Sequence, residues 1–269
     1  MRLTLFQLDA AEAAGGGQGL AGIERRVRVA ADGGADLVLL PELAIPGYGA
    51  GAEAIRTQGE RARETLAYLR ALSDETGTSV ALGMPMMLGG RLHNTAVLCR
   101  PAEEPVVYAK RFLYGDYERD LFRVGTQASP LVMVAGLRIG LLVCFDVEFP
   151  ETVRALALAG ADLVLIPTAL PAGEGARFIA RSLVPTRAFE NGIFVAYADW
   201  SGADGRFVYQ GMSIVAAPDG RALACAGTDG AAMLIADLDP AHFDAARAAN
   251  DYLRELRTTP SGSARPPER

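Results

Sequence analysis

An eight-residue segment occurs twice in the chain, and it constrains the fold more than any other feature of the sequence. The first copy, Gly34–Pro41, reads GADLVLLP, and the second, Gly160–Pro167, reads GADLVLIP. The continuous apolar run in each copy is typical of a strand buried on both faces. Each copy follows a predicted helix, and each helix follows a predicted strand. Two explanations remain open: a common way of entering a buried strand, or two βαβ-like halves related by pseudo-symmetry.

The second explanation predicts where an active site would form. If the halves are equivalent, the strand expected at Leu3–Leu8 corresponds to the strand expected at Leu137–Val143. Ligands of open α/β sheets bind beyond the carboxyl ends of the strands, and both Glu42 and Cys144 lie just past such ends. The second copy of the repeat is followed by Thr168 in the place of Glu42, so only one half carries a carboxylate there.

Strands and amphipathic helices alternate along residues 1–257, which predicts a single α/β domain. Beyond the segments already named, helices are expected at Gly22–Ala31, Glu60–Thr76, Glu151–Ala159, Gly175–Glu190 and Ala241–Arg257. Further strands are expected at Val80–Met87, Asn94–Cys99, Ile193–Ala198, Tyr209–Ala216 and Met233–Asp237. The tail Thr258–Arg269 is rich in Pro, Ser and Arg, and by itself it would not become ordered.

Composition limits the classes of protein to which the chain can belong. Half of its 269 residues are apolar, and its net charge is -6, with both signs spread along the chain. A nucleic-acid-binding face or a surface for anionic lipid needs a basic excess, so we expect neither partner. We also expect no signal peptide and no transmembrane helix, because no apolar run is long enough for either.

Cysteine and histidine usage restricts the chemistry further. Cys99, Cys144 and Cys225 are widely spaced with no CxxC pair, which argues against a disulfide framework or a zinc site and favours a reducing, cytoplasmic location. The two histidines, His93 and His242, lie in a predicted turn and at a predicted helix start. We therefore expect an enzyme whose general base is a carboxylate, with no metal and no cofactor.

Cys144 is the strongest candidate for a nucleophile. It ends the predicted strand Leu137–Val143 and precedes the segment Phe-Asp-Val-Glu-Phe-Pro-Glu and a predicted helix. A thiol at such a turn is exposed to the positive end of the helix, which favours the thiolate. A cysteine in an apolar run is more often a small buried hydrophobe. Cys99 and Cys225 lack the turn, and we interpret them as core or surface thiols.

Two charged residues follow apolar runs in places that suit a buried site. Glu42 comes after a run that is expected to be buried, and nearby prolines and a glycine fix its backbone. It could equally be a carboxylate that caps a helix or a loop. Lys110 ends the segment Val-Val-Tyr-Ala-Lys, and taken alone it would be an ordinary lysine at the end of a strand.

Three short blocks, in this order, resemble the signature of the carbon–nitrogen hydrolase (nitrilase) superfamily. They are Pro41-Glu42, Tyr108-Ala-Lys110 and Val143-Cys144-Phe-Asp. Two further segments, Arg187-Ala-Phe-Glu-Asn191 and Gln210–Gly220, resemble a helix end and a strand pair of the same family. Each block is a weak signal alone, whereas ordered blocks along nearly the whole chain are a specific one.

The resemblance implies a four-layer α-β-β-α sandwich of two pseudo-symmetric halves and a catalytic triad of Glu42, Lys110 and Cys144. Glu42 would take the thiol proton, Cys144 would attack the amide carbon, and Lys110 with the backbone N–H of Phe145 would hold the oxyanion. Glu42 would then protonate the departing ammonia and activate the water that hydrolyses the thioester. Glu118, eight residues after the lysine, would position the substrate or the lysine.

The resemblance also implies a substrate class and an assembly. True nitrilases carry Trp after the cysteine, whereas this chain has Phe145, which favours an amidase that converts small aliphatic carboxamides to acid and ammonia. N-carbamoyl amines or amino acids stay open as alternative substrates. Tyr48, Tyr114 and Thr168 are candidate substrate-binding residues. Family members usually form homodimers or larger assemblies, so we expect at least a homodimer, in which the tail 258–269 could pack on the partner subunit.

One glycine pattern suggests a different class of protein. Gly17-Gln-Gly19-Leu-Ala-Gly22 fits GxGxxG between a strand and a helix, and Glu42 lies 20 residues after Gly22, as in a dinucleotide-binding unit. The segment Ala10–Gly16 intervenes, however, where the glycine turn should follow the strand at once. The pattern also leaves the lysine and the cysteine of the three blocks without a role, so we regard it as the weaker alternative.

Overall fold

The computed structural model describes residues 1–12 and 19–258. Its strands, in chain order, are β1 Arg2–Asp9, β2 Leu37–Leu39, β3 Ser79–Leu88, β4 Arg91–Cys99, β5 Val106–Ala109, β6 Val132–Val134, β7 Leu137–Leu141, β8 Leu163–Pro167, β9 Phe194–Ala198, β10 Trp200–Ser201, β11 Ile214–Ala216, β12 Ala222–Cys225 and β13 Ala232–Asp237. Its α-helices are α1 Ala10–Glu12, α2 Leu20–Asp32, α3 Ala52–Glu60, α4 Ala62–Thr76, α5 Gly115–Leu121, α6 Pro150–Leu158, α7 Glu174–Phe178, α8 Val184–Asn191, α9 Asp244–Ala249 and α10 Tyr252–Thr258. Short 3-10 helices lie at Cys144–Glu148 and Pro240–Phe243, and a π-helical turn at Ile179–Leu183 joins α7 to α8.

The strands form two sheets with the same plan. In the first sheet, parallel β1, β2 and β3 are followed by antiparallel β4 and β5, and β13 pairs antiparallel with β1. In the second sheet, parallel β7, β8 and β9 are followed by antiparallel β11 and β12, and β6 pairs antiparallel with β7. The matching order and direction confirm the prediction of two pseudo-symmetric halves.

Both copies of the octapeptide make the same backbone contacts, each in its own sheet. Asp36 Oδ2 accepts a hydrogen bond from the backbone N–H of Arg2 at 2.7 Å, and Asp162 Oδ2 accepts one from the N–H of Arg138 at 2.9 Å. The glycine that opens each copy has a positive φ, of 77° and 97°, which glycine adopts without strain. The repeat is therefore the turn that leads from a helix into a buried strand, used once in each half.

The sheets face each other, and helices cover their outer sides. Leu37 and Leu39 pack in one cluster with Ile139 and other residues of the second sheet. Their neighbours Val38 and Leu40 point the other way and pack with residues of α2 and α4, because successive side chains of a strand face opposite sides. Helices α6 and α8 contribute to the cluster on the second sheet. The arrangement is the expected four-layer α-β-β-α sandwich.

Several predicted elements have different bounds in the structure, and the helix expected over Gly175–Glu190 is divided into α7, the π-helical turn and α8. The helix expected over Glu60–Thr76 is α4, which begins at Ala62, and α3 precedes it without having been expected. The strand expected over Tyr209–Ala216 is limited to β11, because Gly211 and Met212 have φ of 65° and 63°. A left-handed conformation at two successive residues cannot continue an extended strand.

The chain after β13 also departs from the prediction of a single helix over Ala241–Arg257. It forms a 3-10 helix, α9 and α10, with a break at Asn250 and Asp251. Asp251 Oδ1 accepts a hydrogen bond from the backbone N–H of Arg254 at 3.0 Å. Side chains of Asn and Asp compete for backbone groups in this way and favour helix ends over helix interiors.

The remaining expectations concern the start and the end of the chain. Gly17 and Gln18 of the GxGxxG pattern lie outside the described residues, and α1 follows β1 directly, so no glycine turn comes immediately after that strand. The tail after Thr258 also lies outside the described residues. Within residues 1–12 and 19–258, no helix is both long enough and apolar enough to cross a membrane.

Candidate active site

Glu42 lies just past the carboxyl end of β2 and is held by its backbone. Its N–H donates to the carbonyl of Thr168 at 3.2 Å, and its carbonyl accepts a hydrogen bond from Trp200 Nε1 at 2.8 Å. A Cβ atom at Gly83 on β3 would lie 2.4 Å from the Cα of Glu42, so only glycine fits beside it. These contacts fix the carboxylate at the point where the two sheets meet.

Lys110, directly after β5, joins two glutamates into a buried cluster. Its Nζ donates to Glu42 Oε1 at 2.7 Å and to Glu118 Oε1 at 2.6 Å, and all three side chains are fully buried. Asn94 Nδ2 donates to the same oxygen of Glu42 at 2.6 Å, and the Tyr48 hydroxyl donates to Glu118 Oε1 at 2.9 Å. Buried charges persist only when they are paired and hydrogen-bonded, so the cluster has a fixed geometry.

One oxygen of the cluster remains without a partner. Glu42 Oε2 is buried and accepts no hydrogen bond from the described residues. Burial raises the pKa of Glu42 to about 7, although the charge of Lys110 opposes the rise. Burial alone would lower the pKa of Lys110, but the charges of Glu118 and Glu42 outweigh it and raise that pKa well above its usual value. The site thus holds a carboxylate suited to general base catalysis beside a permanent cation.

Cys144 begins the 3-10 helix that follows β7, and its backbone is strained. Its φ of 44° lies in the left-handed region that non-glycine residues rarely adopt. Burial raises the pKa of its thiol well above the usual value, the charge of Glu42 adds to the rise, and a backbone hydrogen bond from Ala169 opposes it. The expectation that the turn favours a thiolate is therefore wrong for the resting site, because burial and the charge of Glu42 outweigh the charge of Lys110 and the hydrogen bond from Ala169 in setting the pKa. The thiol needs a base.

Asp146 connects the cysteine segment to the lysine segment. Its Oδ1 accepts hydrogen bonds from the backbone N–H groups of Arg111 at 3.2 Å and Phe112 at 3.0 Å. Its Oδ2 accepts from the N–H of Val143 at 3.0 Å and from the Tyr108 hydroxyl at 2.9 Å. A single buried carboxylate thus holds the chain just after the lysine against the chain just before the nucleophile, and we regard it as a positioning residue.

Sequence reasoning assigned no role to Asp146 and missed three other residues of the site, namely Asn94, Ala169 and Trp200. Asn94 and Trp200 do carry a signal, since one is an amide in a predicted buried strand and the other is the only tryptophan of the chain. Ala169 carries none, because only its backbone N–H acts on the thiol.

A cavity of about 240 Å³ opens in front of Cys144. Tyr114, Phe145 and Glu148 line one part of it. The other part comes from the segment that follows β8 and consists of small or apolar residues, namely Leu170, Pro171, Ala172, Gly173, Gly175, Ala176 and Ile179. Cys144 lines this cavity, whereas Glu42, Lys110 and Glu118 do not, so a small molecule bound there would contact the thiol and not the charged cluster.

The predicted substrate-binding residues occupy different places. Tyr114 lines the cavity, whereas Tyr48 lines a separate cavity of about 110 Å³. Thr168 is fully buried, and its hydroxyl donates to the carbonyl of Ile166 at 3.1 Å. Phe145 lies next to the nucleophile in the 3-10 helix, where the predicted oxyanion contact would require its backbone N–H. The roles assigned to these residues stay predictions.

Comparison with known sequences gives a consistent result. Residues 3–248 match the family model described as Carbon-nitrogen hydrolase. The protein named Hydrolase in pqqF 5'region, from Pseudomonas protegens, is 38% identical over 83% of this chain and 78% of its own length. An (R)-stereoselective amidase from a Pseudomonas species is 33% identical over 86% of this chain and 82% of its own length.

Solved structures of an amidase from Nesterenkonia sp. AN1 extend the similarity to the fold. One of them is 36% identical, with a TM-score of 0.79, and covers 96% of this chain and 98% of that chain. A variant of that amidase, with a TM-score of 0.80, shows acrylamide added to its active-site cysteine. A variant without the cysteine was solved in complex with butyramide. The chain described here is an amidase-type hydrolase of carbon–nitrogen bonds and belongs to the carbon–nitrogen hydrolase family.

Proposed function

We propose that the protein hydrolyses short aliphatic carboxamides without a negative charge to a carboxylic acid and ammonia through a thioester on Cys144. The observation that carries the proposal is the unpartnered, buried oxygen of Glu42, whose charge acts on a thiol that lines a small cavity. A base with a pKa of about 7 can accept a proton and return it near neutral pH.

Acylation follows from this arrangement. Glu42 removes the proton of Cys144, and the sulfur forms a bond with the amide carbon while the carbonyl oxygen becomes an oxyanion. An ammonium has three N–H donors, and Glu42 and Glu118 use two of those of Lys110. The third can donate to the oxyanion together with the backbone N–H of Phe145. One such donor contributes about 3–4 kcal/mol to the transition state.

Release of product and deacylation use the same carboxyl group. Protonated Glu42 gives its proton to the leaving nitrogen, the C–N bond breaks, and ammonia departs. Water then enters, Glu42 removes a proton from it, and the resulting hydroxide attacks the thioester carbon. The C–S bond breaks, the acid is released, and the proton returns to Cys144. General base catalysis of this kind contributes about 10²–10⁴-fold.

Size and charge of the cavity support the proposed substrate class. The segment that follows β8 leaves space for a short acyl chain within about 240 Å³. Among the described residues that line the cavity, none is a lysine or an arginine. An acyl group with a carboxylate would find no cation there, which disfavours N-carbamoyl amino acids relative to neutral amides. The butyramide found in a related amidase is of the proposed class.

A panel assay tests this proposal. Acetamide, butyramide, an N-carbamoyl amine, an N-carbamoyl amino acid and butyronitrile are each incubated with the enzyme, and the released ammonia is measured. We expect the two amides to be hydrolysed fastest and the nitrile slowest. Faster release from the nitrile or from either N-carbamoyl compound than from butyramide would contradict the proposed substrate class.

A further inference from the structure

Glu148 is the one charged side chain among the described residues that line the cavity. It ends the 3-10 helix that begins at the nucleophile, and it is partly buried. Arg187 Nη2 donates to its backbone carbonyl at 2.9 Å, and Arg187 Nε donates to the carbonyl of Val147 at 2.9 Å. These contacts fix the backbone of the turn. The carboxylate itself accepts no hydrogen bond from any described residue.

The cations that act on this carboxylate are already neutralised by other groups. Lys110 is bound by two glutamates. Arg187 forms an ion pair with Glu190 at 3.1 Å and otherwise donates to backbone carbonyls. Burial raises the pKa of Glu148, and the charges of Lys110 and Arg187 oppose the rise. The Glu148 carboxyl group thus has no side-chain partner among the described residues, and it lines a cavity whose other lining residues are Tyr114, Cys144 and small or apolar residues.

We propose that Glu148 sets the charge preference of the cavity, so that primary amides with an ammonium group on the acyl chain are preferred over neutral ones, and anionic ones are rejected. The ammonium would donate to the Glu148 carboxylate in a charge-assisted hydrogen bond. An acyl carboxylate would meet a like charge in the same place. This inference rests on the proposed amidase function and adds the class of acyl group to it.

Three amides of similar size test the preference. Butyramide is neutral, β-alaninamide replaces its terminal methyl group with an ammonium, and succinamate carries a carboxylate. At about pH 8 we expect kcat/KM to fall in the order β-alaninamide, butyramide, succinamate. Glu148→Gln should lower the ratio of β-alaninamide to butyramide by roughly tenfold, the size of a charge-assisted contact in a partly exposed site.

Glu151→Gln is the matched control. Glu151 lies on the exposed side of α6, three residues further along the chain and outside the cavity. The Glu151→Gln substitution removes the same charge from the molecule but does not alter the cavity. The ratio of kcat/KM for β-alaninamide to that for butyramide should therefore stay at its wild-type value. An equal fall of the ratio in both variants would assign the preference to the overall charge and overturn the inference.

Alkylation of Cys144 measures the same preference without turnover. Iodoacetamide is neutral and iodoacetate is anionic, and the labelled Cys144 peptide is quantified by mass spectrometry. We expect Glu148→Gln to raise the ratio of iodoacetate to iodoacetamide labelling by roughly tenfold, and Glu151→Gln to leave it unchanged. A shift in labelling without any amide hydrolysis would support the charge preference and refute the proposed function. Amide hydrolysis with both ratios unchanged in Glu148→Gln would overturn the inference alone.

Discussion

The second strands of the two halves end in the same backbone arrangement but are followed by different side chains. Pro41 is followed by Glu42 in the first half, and Pro167 is followed by Thr168 in the second. The two ends touch, since the N–H of Glu42 donates to the carbonyl of Thr168 at 3.2 Å. The first half supplies an acid–base side chain, whereas the second supplies backbone groups. The two halves therefore share the same backbone at this point and differ in one side chain, which is Glu42 in the first half and Thr168 in the second.

The first strands of the halves differ in length, and Cys144, the proposed nucleophile, lies shortly after the end of the shorter one. Register places Leu3 beside Leu37 and Ile139 beside Leu163, so Cys144 corresponds to Leu8. Leu8 is still part of β1, but β7 ends at Leu141. The chain then turns sharply, with Cys144 at φ 44°. Because this strand ends early, the Cys144 thiol lines the cavity and is not part of a strand.

Among the changes considered, removal of the Glu42 carboxylate, which distinguishes the two halves, should have the largest effect on kcat/KM. Glu42→Gln keeps the shape of the side chain, but it removes the base that takes the thiol proton. We expect kcat/KM for butyramide to fall by about 10²–10⁴-fold, with the fold retained in circular dichroism. A loss smaller than tenfold would show that another group removes the proton.

The dependence of the rate on pH sharpens the role of the same carboxylate. Since Glu42 must be ionised to act as a base and its pKa is about 7, kcat/KM should decline as the pH falls through about 7. The charge of Glu118 raises the pKa of Glu42, so Glu118→Gln should move this decline to lower pH. It should also lose most of its turnover, because Lys110 and Tyr48 lose a shared acceptor. A decline at unchanged pH, or an unaltered rate, would contradict this account.

Asp146→Asn tests the link between the lysine and cysteine segments. Both oxygens of Asp146 accept hydrogen bonds, whereas asparagine has only one acceptor oxygen. Its NH2 group would therefore face N–H or O–H donors in place of the second oxygen. We expect a loss of about 1–3 kcal/mol in the free energy of unfolding, because the hydrogen bonds from Val143 and Tyr108 are buried. The kcat for butyramide should fall by more than its KM changes, since the substrate cavity stays intact. An unchanged kcat would reduce Asp146 to a purely structural role.

The smallest effect is expected at the counterpart of Glu42. Thr168→Val removes a hydroxyl that donates to the carbonyl of Ile166 and also hydrogen-bonds the side chain of Tyr197, while the backbone carbonyl that accepts from Glu42 remains. Unfolding measured with urea should show a loss of about 1 kcal/mol, with kcat/KM close to the wild-type value. A drop in kcat/KM as large as that of Glu42→Gln would mean that the halves contribute equally, and it would support Thr168 as a substrate-binding residue.

Much of the fold could be predicted from the periodicity of apolar residues and from the repeated octapeptide. The buried strands are apolar on both faces, and the aspartate of each repeat contacts the strand before it. What could not be predicted depends on single backbone angles. The strand predicted over Tyr209–Ala216 is shorter in the structure because φ is positive at Gly211 and Met212. The helix predicted over Ala241–Arg257 is divided by the break at Asn250.

For the site as well, the sequence predicted some features, and others became clear only from the structure. Glu42, Lys110 and Cys144 were recognisable from ordered blocks, and the structure brings Glu42 and Lys110 into direct contact. The high pKa of the Cys144 thiol could not be foreseen, because it depends on burial by distant segments. The homodimer, the packing of the tail 258–269 and the cytoplasmic location stay predictions. Sedimentation at micromolar concentration would test the first of them.

Ammonia release by a Cys144→Ala variant tests the central claim most directly. The side chain is small and the cavity remains, so the variant should fold and bind butyramide as the wild-type protein does. We expect no release above the rate without enzyme, because no other cysteine lines the cavity among the described residues. Release at a rate comparable to that of the wild-type enzyme would contradict the account.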